Sequence, residues 1–134
     1  MSKYLEEAKT LRNSLDRHYN CAQSVLIPFA KEAGLDEETA YKIASGFGSG
    51  MKTGKVCGAI TGGAMALGLL GLDTPDNMQV LFREIRQRHE DQTDCKDLLA
   101  LNAKTGGERG PHCDNMVYEV ISIVEGLANK SSQV

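Results

Sequence analysis

The chain has 134 residues, of which 41% are hydrophobic and 25% are charged, and its formal net charge is −3. This composition predicts one soluble domain spanning residues 1–134, and the lack of a basic stripe argues against a nucleic-acid-binding protein. The first residues lack the apolar stretch of a signal peptide and no apolar run reaches the roughly 20 residues of a membrane span, so we expect a cytoplasmic protein with no membrane partner.

Apolar residues repeat with helical spacing along the chain, and no segment alternates with the period of a strand. The sequence therefore predicts an all-α, single-domain bundle of six to seven helices around a central helix rich in glycine and alanine. In chain order, the predicted helices are approximately residues 4–19, 21–34, 36–45, 56–70, 75–89, 94–102 and 113–128. The tail, residues 129–134, is expected to fray.

Local signals add detail to the first two helices. Leu15 has the spacing of a residue on the inward face of the first helix. Asn20 and Gln23 have the spacing of a capping box, which predicts that the second helix starts at the intervening Cys21. Pro28 is expected to kink or interrupt the second helix, because proline has no backbone N–H to donate.

The segment from Gly46 to Leu72 holds the central helix and a glycine-rich loop before it. Each glycine inside a helix costs about 1 kcal/mol relative to alanine, so the four glycines of this helix need a structural reason. Gly58 and Gly62 repeat every four residues with Ala66 and form one smooth stripe. We expect the stripe to be buried, with backbone or a cofactor coming close at Gly58 and Gly62.

Four cysteines, Cys21, Cys57, Cys95 and Cys113, are spread along the chain without a C-x-x-C pair. Cytoplasmic thiols are normally reduced, which favours metal ligands or redox groups over static disulfides. Each cysteine follows a capping residue or a loop, so all four are predicted in the first turn of a helix, where the amides and the dipole stabilise thiolate. We expect the four to converge as redox-active groups or metal ligands, with Cys57 as the first candidate for a reactive thiolate.

This pattern resembles a family of redox-active proteins named for their C–GCAxxG–C–C cysteines. The likeness rests on Asn20 to Gln23, Gly46 to Met51, Cys57 to Gly62, and the single cysteines at 95 and 113. It extends from about Leu15 to Leu127, although the motif here begins Cys-Gly-Ala rather than Gly-Cys-Ala. The resemblance implies a small helical redox protein whose four cysteines act together.

Two kinds of redox chemistry suit four convergent cysteines. All four could ligate an iron–sulfur cluster or a similar metal centre, or two of them could cycle between dithiol and disulfide. Either chemistry would make the chain an oxidoreductase or an electron carrier with an unknown redox partner protein. The alternatives are a structural zinc site with four cysteine ligands and a helical interaction protein whose buried cysteines bind nothing.

Three polar residues near the cysteines are weaker candidates. His112 precedes Cys113 and could tune or replace a ligand. Arg109 and Lys55 could raise the positive potential near the thiolates. The glycine-rich loop, residues 46–54, lacks the spacing of a phosphate-binding loop, and we expect it to let backbone pass close to the thiolate site.

Overall fold

The computed structural model describes residues 2–132, which fold into seven α-helices. They are α1 (Lys3–Arg12), α2 (Cys21–Ala30), α3 (Glu37–Ala44), α4 (Gly58–Leu69), α5 (Pro75–Arg88), α6 (Cys95–Lys104) and α7 (Arg109–Ser132). A 3-10 turn, Ser45–Phe47, and a wider π turn, Gly50–Gly54, lie between α3 and α4. Over the described residues no strand forms beyond one isolated bridge between Val56 and Asp94, so the prediction of an all-α fold is confirmed.

Helix α4 is largely buried, as the sequence predicts, although α2 contacts more of the other helices. It packs most extensively against α2 and also contacts α7 and α5. Its residues Ala59, Ile60, Ala66 and Leu67 are fully buried. Burying one side chain of the size of leucine or isoleucine stabilises a fold by about 1.5–3 kcal/mol. This burial, rather than helix propensity, holds a glycine-rich helix in place.

The glycines of α4 show how closely its neighbours approach. A Cβ atom at Gly58 would lie 2.8 Å from the carbonyl oxygen of Phe47, and one at Gly62 would lie 2.8 Å from the carbonyl oxygen of Ala22. Cβ atoms do not tolerate such distances, so the backbone passes these points only because the side chains are missing. Gly68 is the exception, because it is exposed and an added Cβ would meet no atom within 4 Å.

Helix α1 is shorter than predicted. It ends at Arg12 rather than at Tyr19, and Leu15, which was expected to face the core, is 100% exposed. The residues that follow α1 are polar and bond to nearby backbone, as the Ser14 hydroxyl does when it accepts from the Asp16 amide. Such local bonds compete with the helical ladder and end the helix early.

Helix α2 also ends early, at Ala30 rather than at Gly34, but Pro28 does not interrupt it. Every residue from Ala22 to Ala30 is buried. The apolar contacts of this stretch offset the hydrogen bond that Pro28 cannot make. The capping box at its start is confirmed, because Asn20 and Gln23 each bond to the other's backbone amide.

Helix α7 begins earlier than predicted, at Arg109 rather than at Cys113. Pro111 lies in its first turn, where a missing N–H leaves no helical bond unmade. The helix continues to Ser132, into the tail that was expected to fray, and residues 133 and 134 lie outside the described residues. Among the helices described here, none is long and apolar enough to cross a membrane.

Candidate functional site

All four cysteines line one cavity of about 100 Å³, which lies where the N-terminal ends of α2, α4, α6 and α7 meet. Cys57 is buried, and the other three cysteines are half-buried. Other residues that line the cavity are Arg12, His18, Asn20, Ser49, Arg109 and His112. The structure thus brings together the four cysteines that the sequence singles out. Their roles as redox groups or metal ligands stay predictions.

Three of the cysteines lie at helix N-termini, as predicted. Cys21 and Cys95 are the first residues of α2 and α6, and Cys57 immediately precedes α4. The prediction is wrong for Cys113, because α7 starts at Arg109 and places this cysteine in its second turn. The free amides at the start of α7 are therefore not what sets the pKa of Cys113.

A short backbone bridge connects the segments that carry Cys57 and Cys95. The Cys57 amide donates to the carbonyl oxygen of Thr93 at 2.9 Å, and the Cys95 amide donates to the carbonyl oxygen of Lys55 at 2.6 Å. The two bonds flank the isolated bridge described above. They tie the start of α6 to the start of α4, so these two cysteines keep a fixed backbone spacing.

Cys21 and Cys113 are neighbours in the cavity, and each shifts the pKa of the other. Hydrogen bonding from Cys21 lowers the pKa of Cys113 to about 6, against the effect of burial and with help from the charges of Arg12 and Arg109. The same bond, followed by burial, raises the pKa of Cys21 well above that of a free thiol. Near neutral pH the pair therefore holds one proton, with Cys113 as the thiolate and Cys21 as the donor.

Cys57 does not have the lowered pKa that the sequence suggests for it. Burial raises its pKa to about 11. The amides of Ala59 and Ile60 lower the pKa, but Cys57 forms no capping hydrogen bond, and the charges of Cys95 and Cys113 raise the pKa further. The expectation fails because the dipole of α4 is outweighed by the loss of water around the sulfur.

Arg12 is a site residue that sequence reasoning missed. Its guanidinium donates to the Asp114 carboxylate at 2.6 Å and to the Tyr19 carbonyl oxygen at 2.9 Å, and its side chain is only 11% exposed. It reaches the cavity from the end of α1. In the sequence it lies near Cys21 but far from the other three cysteines, so no local pattern indicates its role. Lys55, expected to add positive potential, is not among the residues that line the cavity.

Arg109 does line the cavity, as expected, and it joins the cysteines to the glycine-rich loop. Its charge lowers the pKa of Cys113, and its guanidinium donates to the Ser49 hydroxyl at 3.3 Å. Ser49, Met51 and Lys52 have left-handed backbone, with φ of 52°, 58° and 59°. Each non-glycine residue in this conformation costs about 1–2 kcal/mol. The loop therefore stores strain beside the cavity.

His112 lies between the cavity and a second histidine. Its ring centroid is 6.4 Å from that of His89, at a near-perpendicular angle, and the Nε2 atom of His89 is 3.1 Å from both carboxylate oxygens of Glu119. Burial, followed by the charge of His89, lowers the pKa of His112. A neutral imidazole can accept a proton at pH 7, and a direct role for His112 stays a prediction.

The two glycines proposed to lie close to a cofactor have different surroundings. Gly58 lines the cavity, whereas Gly62 does not. The atoms nearest to a Cβ at Gly62 belong to Ala22 and Val25 of α2. The close approach at Gly62 is thus an approach of protein backbone, and contact of either glycine with a cofactor stays a prediction.

The cavity meets one of the two requirements of the metal centres that the sequence suggests. Its chemistry is suitable, because four cysteine sulfurs are common ligands of iron–sulfur clusters and of zinc. Its geometry is not, because over residues 2–132 no three His, Cys, Asp or Glu side chains converge as a set that could hold a metal ion. The side chains as placed do not fit a metal centre.

Comparisons with known proteins identify a family. No curated protein and no solved structure matches the chain significantly. A family model described as "Putative redox-active protein (C_GCAxxG_C_C)" matches residues 19–127, a span that contains all four cysteines. The match confirms the resemblance drawn from the sequence. The chain therefore belongs to the C_GCAxxG_C_C family.

Proposed function

We propose that this protein is a thiol–disulfide oxidoreductase in which Cys113 attacks and Cys21 resolves. The observation that carries the proposal is the placement of both thiols, each half-buried, in the wall of one cavity, where each acts on the pKa of the other. An attacking cysteine must be a thiolate, and it must have a second thiol within reach. The lowered pKa of Cys113 meets the first need, and the neighbouring Cys21 meets the second.

The proposed cycle begins when the Cys113 thiolate attacks a substrate disulfide. A bond forms between Cys113 and one substrate sulfur, the substrate's own sulfur–sulfur bond breaks, and the second substrate sulfur leaves as a thiolate. That thiolate takes the proton of Cys21, which then attacks the mixed disulfide and releases the first substrate sulfur. The substrate gains two electrons and the Cys21–Cys113 pair loses two, so a dithiol of a partner protein must reduce the pair again.

The charges around the pair support this assignment. Arg12 and Arg109 both stabilise the Cys113 thiolate. Forming the Cys21–Cys113 disulfide removes that negative charge and leaves the guanidinium groups without it. A couple whose reduced form is stabilised in this way is a stronger oxidant. We therefore expect a Cys21–Cys113 disulfide that readily accepts electrons, which favours its reduction by the partner dithiol over oxidation of the pair by a substrate disulfide.

Mild oxidation of the fully reduced protein should produce the Cys21–Cys113 disulfide first. Peptide mapping by mass spectrometry, after brief exposure to a small disulfide and alkylation of the remaining thiols, identifies the pair. Cys113→Ser should abolish the reaction, because no thiolate remains at this position. Cys57→Ser is the matched control and should still form the disulfide. Rapid oxidation of Cys113→Ser, or a first disulfide between Cys57 and Cys95, would contradict the proposal.

The same preparation tests the predicted metal centres. Protein purified without oxygen should be analysed for iron, acid-labile sulfide and zinc, and its thiols should be counted by alkylation under native conditions. If the dithiol proposal is correct, the metals will be far below one per chain and Cys113 will be labelled. The proposal would be wrong if the cysteines were protected and the protein held stoichiometric iron with sulfide, or one zinc per chain. Those results would support an iron–sulfur cluster or a zinc site, respectively.

A further inference from the structure

We infer that the surface around the mouth of the cysteine cavity docks an acidic segment of a partner protein whose disulfide reacts with Cys113. This surface, the basic rim, is formed by Met51, Lys52, Lys55, Lys96 and Arg109. The inference rests on the proposed function and adds the class of partner that the site receives.

The cations of the basic rim are grouped around the loop before α4. Lys52 and Lys55 lie on either side of Gly54 in the loop before α4. The Lys96 side chain lies across the same glycine, since a Cβ added there would be 3.3 Å from the Lys96 Cβ. Arg109 donates a hydrogen bond to this loop and contributes to the cavity wall. Arg109 is therefore the rim residue that reaches the cavity that holds Cys113.

The cations of the basic rim form no ion pair among the described residues. All four of these cations are exposed. The acids closest in sequence are Asp94 and Asp97, which are half-buried, and the exposed Glu108. In a chain with a net charge of −3, a cluster of unpaired cations beside a reactive cavity favours a ligand of opposite charge.

The backbone beneath the basic rim is strained, and its side chains remain exposed. Ser49, Met51 and Lys52 all have positive φ, and all three are exposed, with Met51 at 40%. Residues in such conformations cluster at binding sites, where the strain serves the presentation of a group. Here the turn presents a large apolar side chain next to a cation. A polypeptide that carries both acidic and apolar residues is complementary to this pair.

The size of the cavity also favours a docked polypeptide. A volume of about 100 Å³ admits a single small side chain, so a peptide cannot enter as a whole. Cys113 is half-buried and must be met by a sulfur that is brought to the mouth. Contacts with the basic rim, outside the cavity, must then supply most of the affinity, and they select the partner by its charge.

Peptide binding tests the docking surface without any chemistry. A labelled peptide with serine between two pairs of glutamates should bind about tenfold more tightly at low salt than its lysine counterpart, and added salt should remove the difference. Lys52→Gln with Lys55→Gln and Lys96→Gln should abolish the preference. The matched control removes the same charge from other exposed sites, with Lys42→Gln, Arg83→Gln and Lys130→Gln, and should keep the preference. Equal binding of the two peptides, or loss of the preference in the control, would overturn the inference.

A reactive version of the peptides separates this inference from the proposed function. Cysteine in place of the serine, activated as a mixed disulfide with thiopyridine, reports attack by Cys113 through the release of thiopyridone. Faster release from the acidic peptide supports both proposals. Selective binding without release would refute the proposed function while the docking surface stands, and equally fast release from both peptides would refute the docking surface alone. Full competition by a small dianionic disulfide would assign the rim to small anions and overturn the inference.

Discussion

Gly62→Leu should lower the free energy of unfolding by about 3 kcal/mol, because an overpacked contact must be relieved by backbone movement. A Cβ at this position would already lie 2.8 Å from the Ala22 carbonyl oxygen and 3.1 Å from the Val25 Cβ. Both neighbours belong to α2, which carries Cys21 at its first residue. The substitution would therefore push apart the two helices that meet at the cavity. Denaturant unfolding, followed by circular dichroism, measures the effect.

The same substitution at Gly68 is the matched control. Gly68 lies in the same helix, but it is exposed and an added Cβ would meet no atom within 4 Å. Gly68→Leu should raise the free energy of unfolding by up to about 1 kcal/mol, because leucine has the higher helix propensity. Opposite signs for the two variants would show that close packing, rather than glycine as such, matters in α4. Equal effects would show that Gly62 is not a close contact.

The convergence of the cysteines could be predicted because it depends on local signals. A capping box before Cys21 and a glycine-rich loop before Cys57 mark helix starts in the sequence alone. A small all-α domain offers few arrangements for such helix ends. The structure places Cys21 and Cys57 beside Cys95 and Cys113 in the wall of one cavity. The fold class could be predicted from the helical spacing of the apolar residues.

The ranking of the thiols could not be predicted, because tertiary contacts decide it. The sequence shows that Cys57 has a helix dipole, but it does not show that the residue is only 5% exposed. Cys113 lies in the second turn of α7, and its pKa is set mainly by Cys21 and Arg12, which are about 90 to 100 residues away in the sequence, with a contribution from Arg109 one turn earlier in α7. Desolvation and specific hydrogen bonds act on a pKa as strongly as a dipole, and neither has a local signature.

The early end of α1 is a second feature that the sequence does not predict. Leu15 continues the apolar pattern of α1, yet the helix stops at Arg12 and Leu15 is left in solvent. Amphipathic spacing predicts which face is buried only while the helix continues, and short polar residues can end it before the pattern ends. Because the chain turns there, the Arg12 guanidinium reaches the Tyr19 carbonyl oxygen and the cavity. The missed arginine and the misplaced leucine thus have one cause.

Cys113 should show an alkylation midpoint at about pH 6, well below the value of about 8.5 for a free thiol. Cys57 should show a midpoint near 11 and react slowly, because it is buried. Alkylation of reduced, metal-free protein across a pH series, read residue by residue by mass spectrometry, gives both values. The midpoint is the correct measure, because a thiolate of lower pKa is also the weaker nucleophile and its rate at one pH is misleading.

Cys21→Ala should raise the midpoint of Cys113 by about one pH unit or more, because the hydrogen bond from Cys21 is the main cause of the low pKa. Cys21→Ser retains a donor at the same position and should remain closer to the wild type. Arg109→Gln should have a smaller effect than Cys21→Ala, since Arg12 still acts on the thiolate. If Cys21→Ala left the midpoint unchanged, the arginines alone would account for the thiolate. The assignment of Cys21 as the resolving thiol would then lose its support.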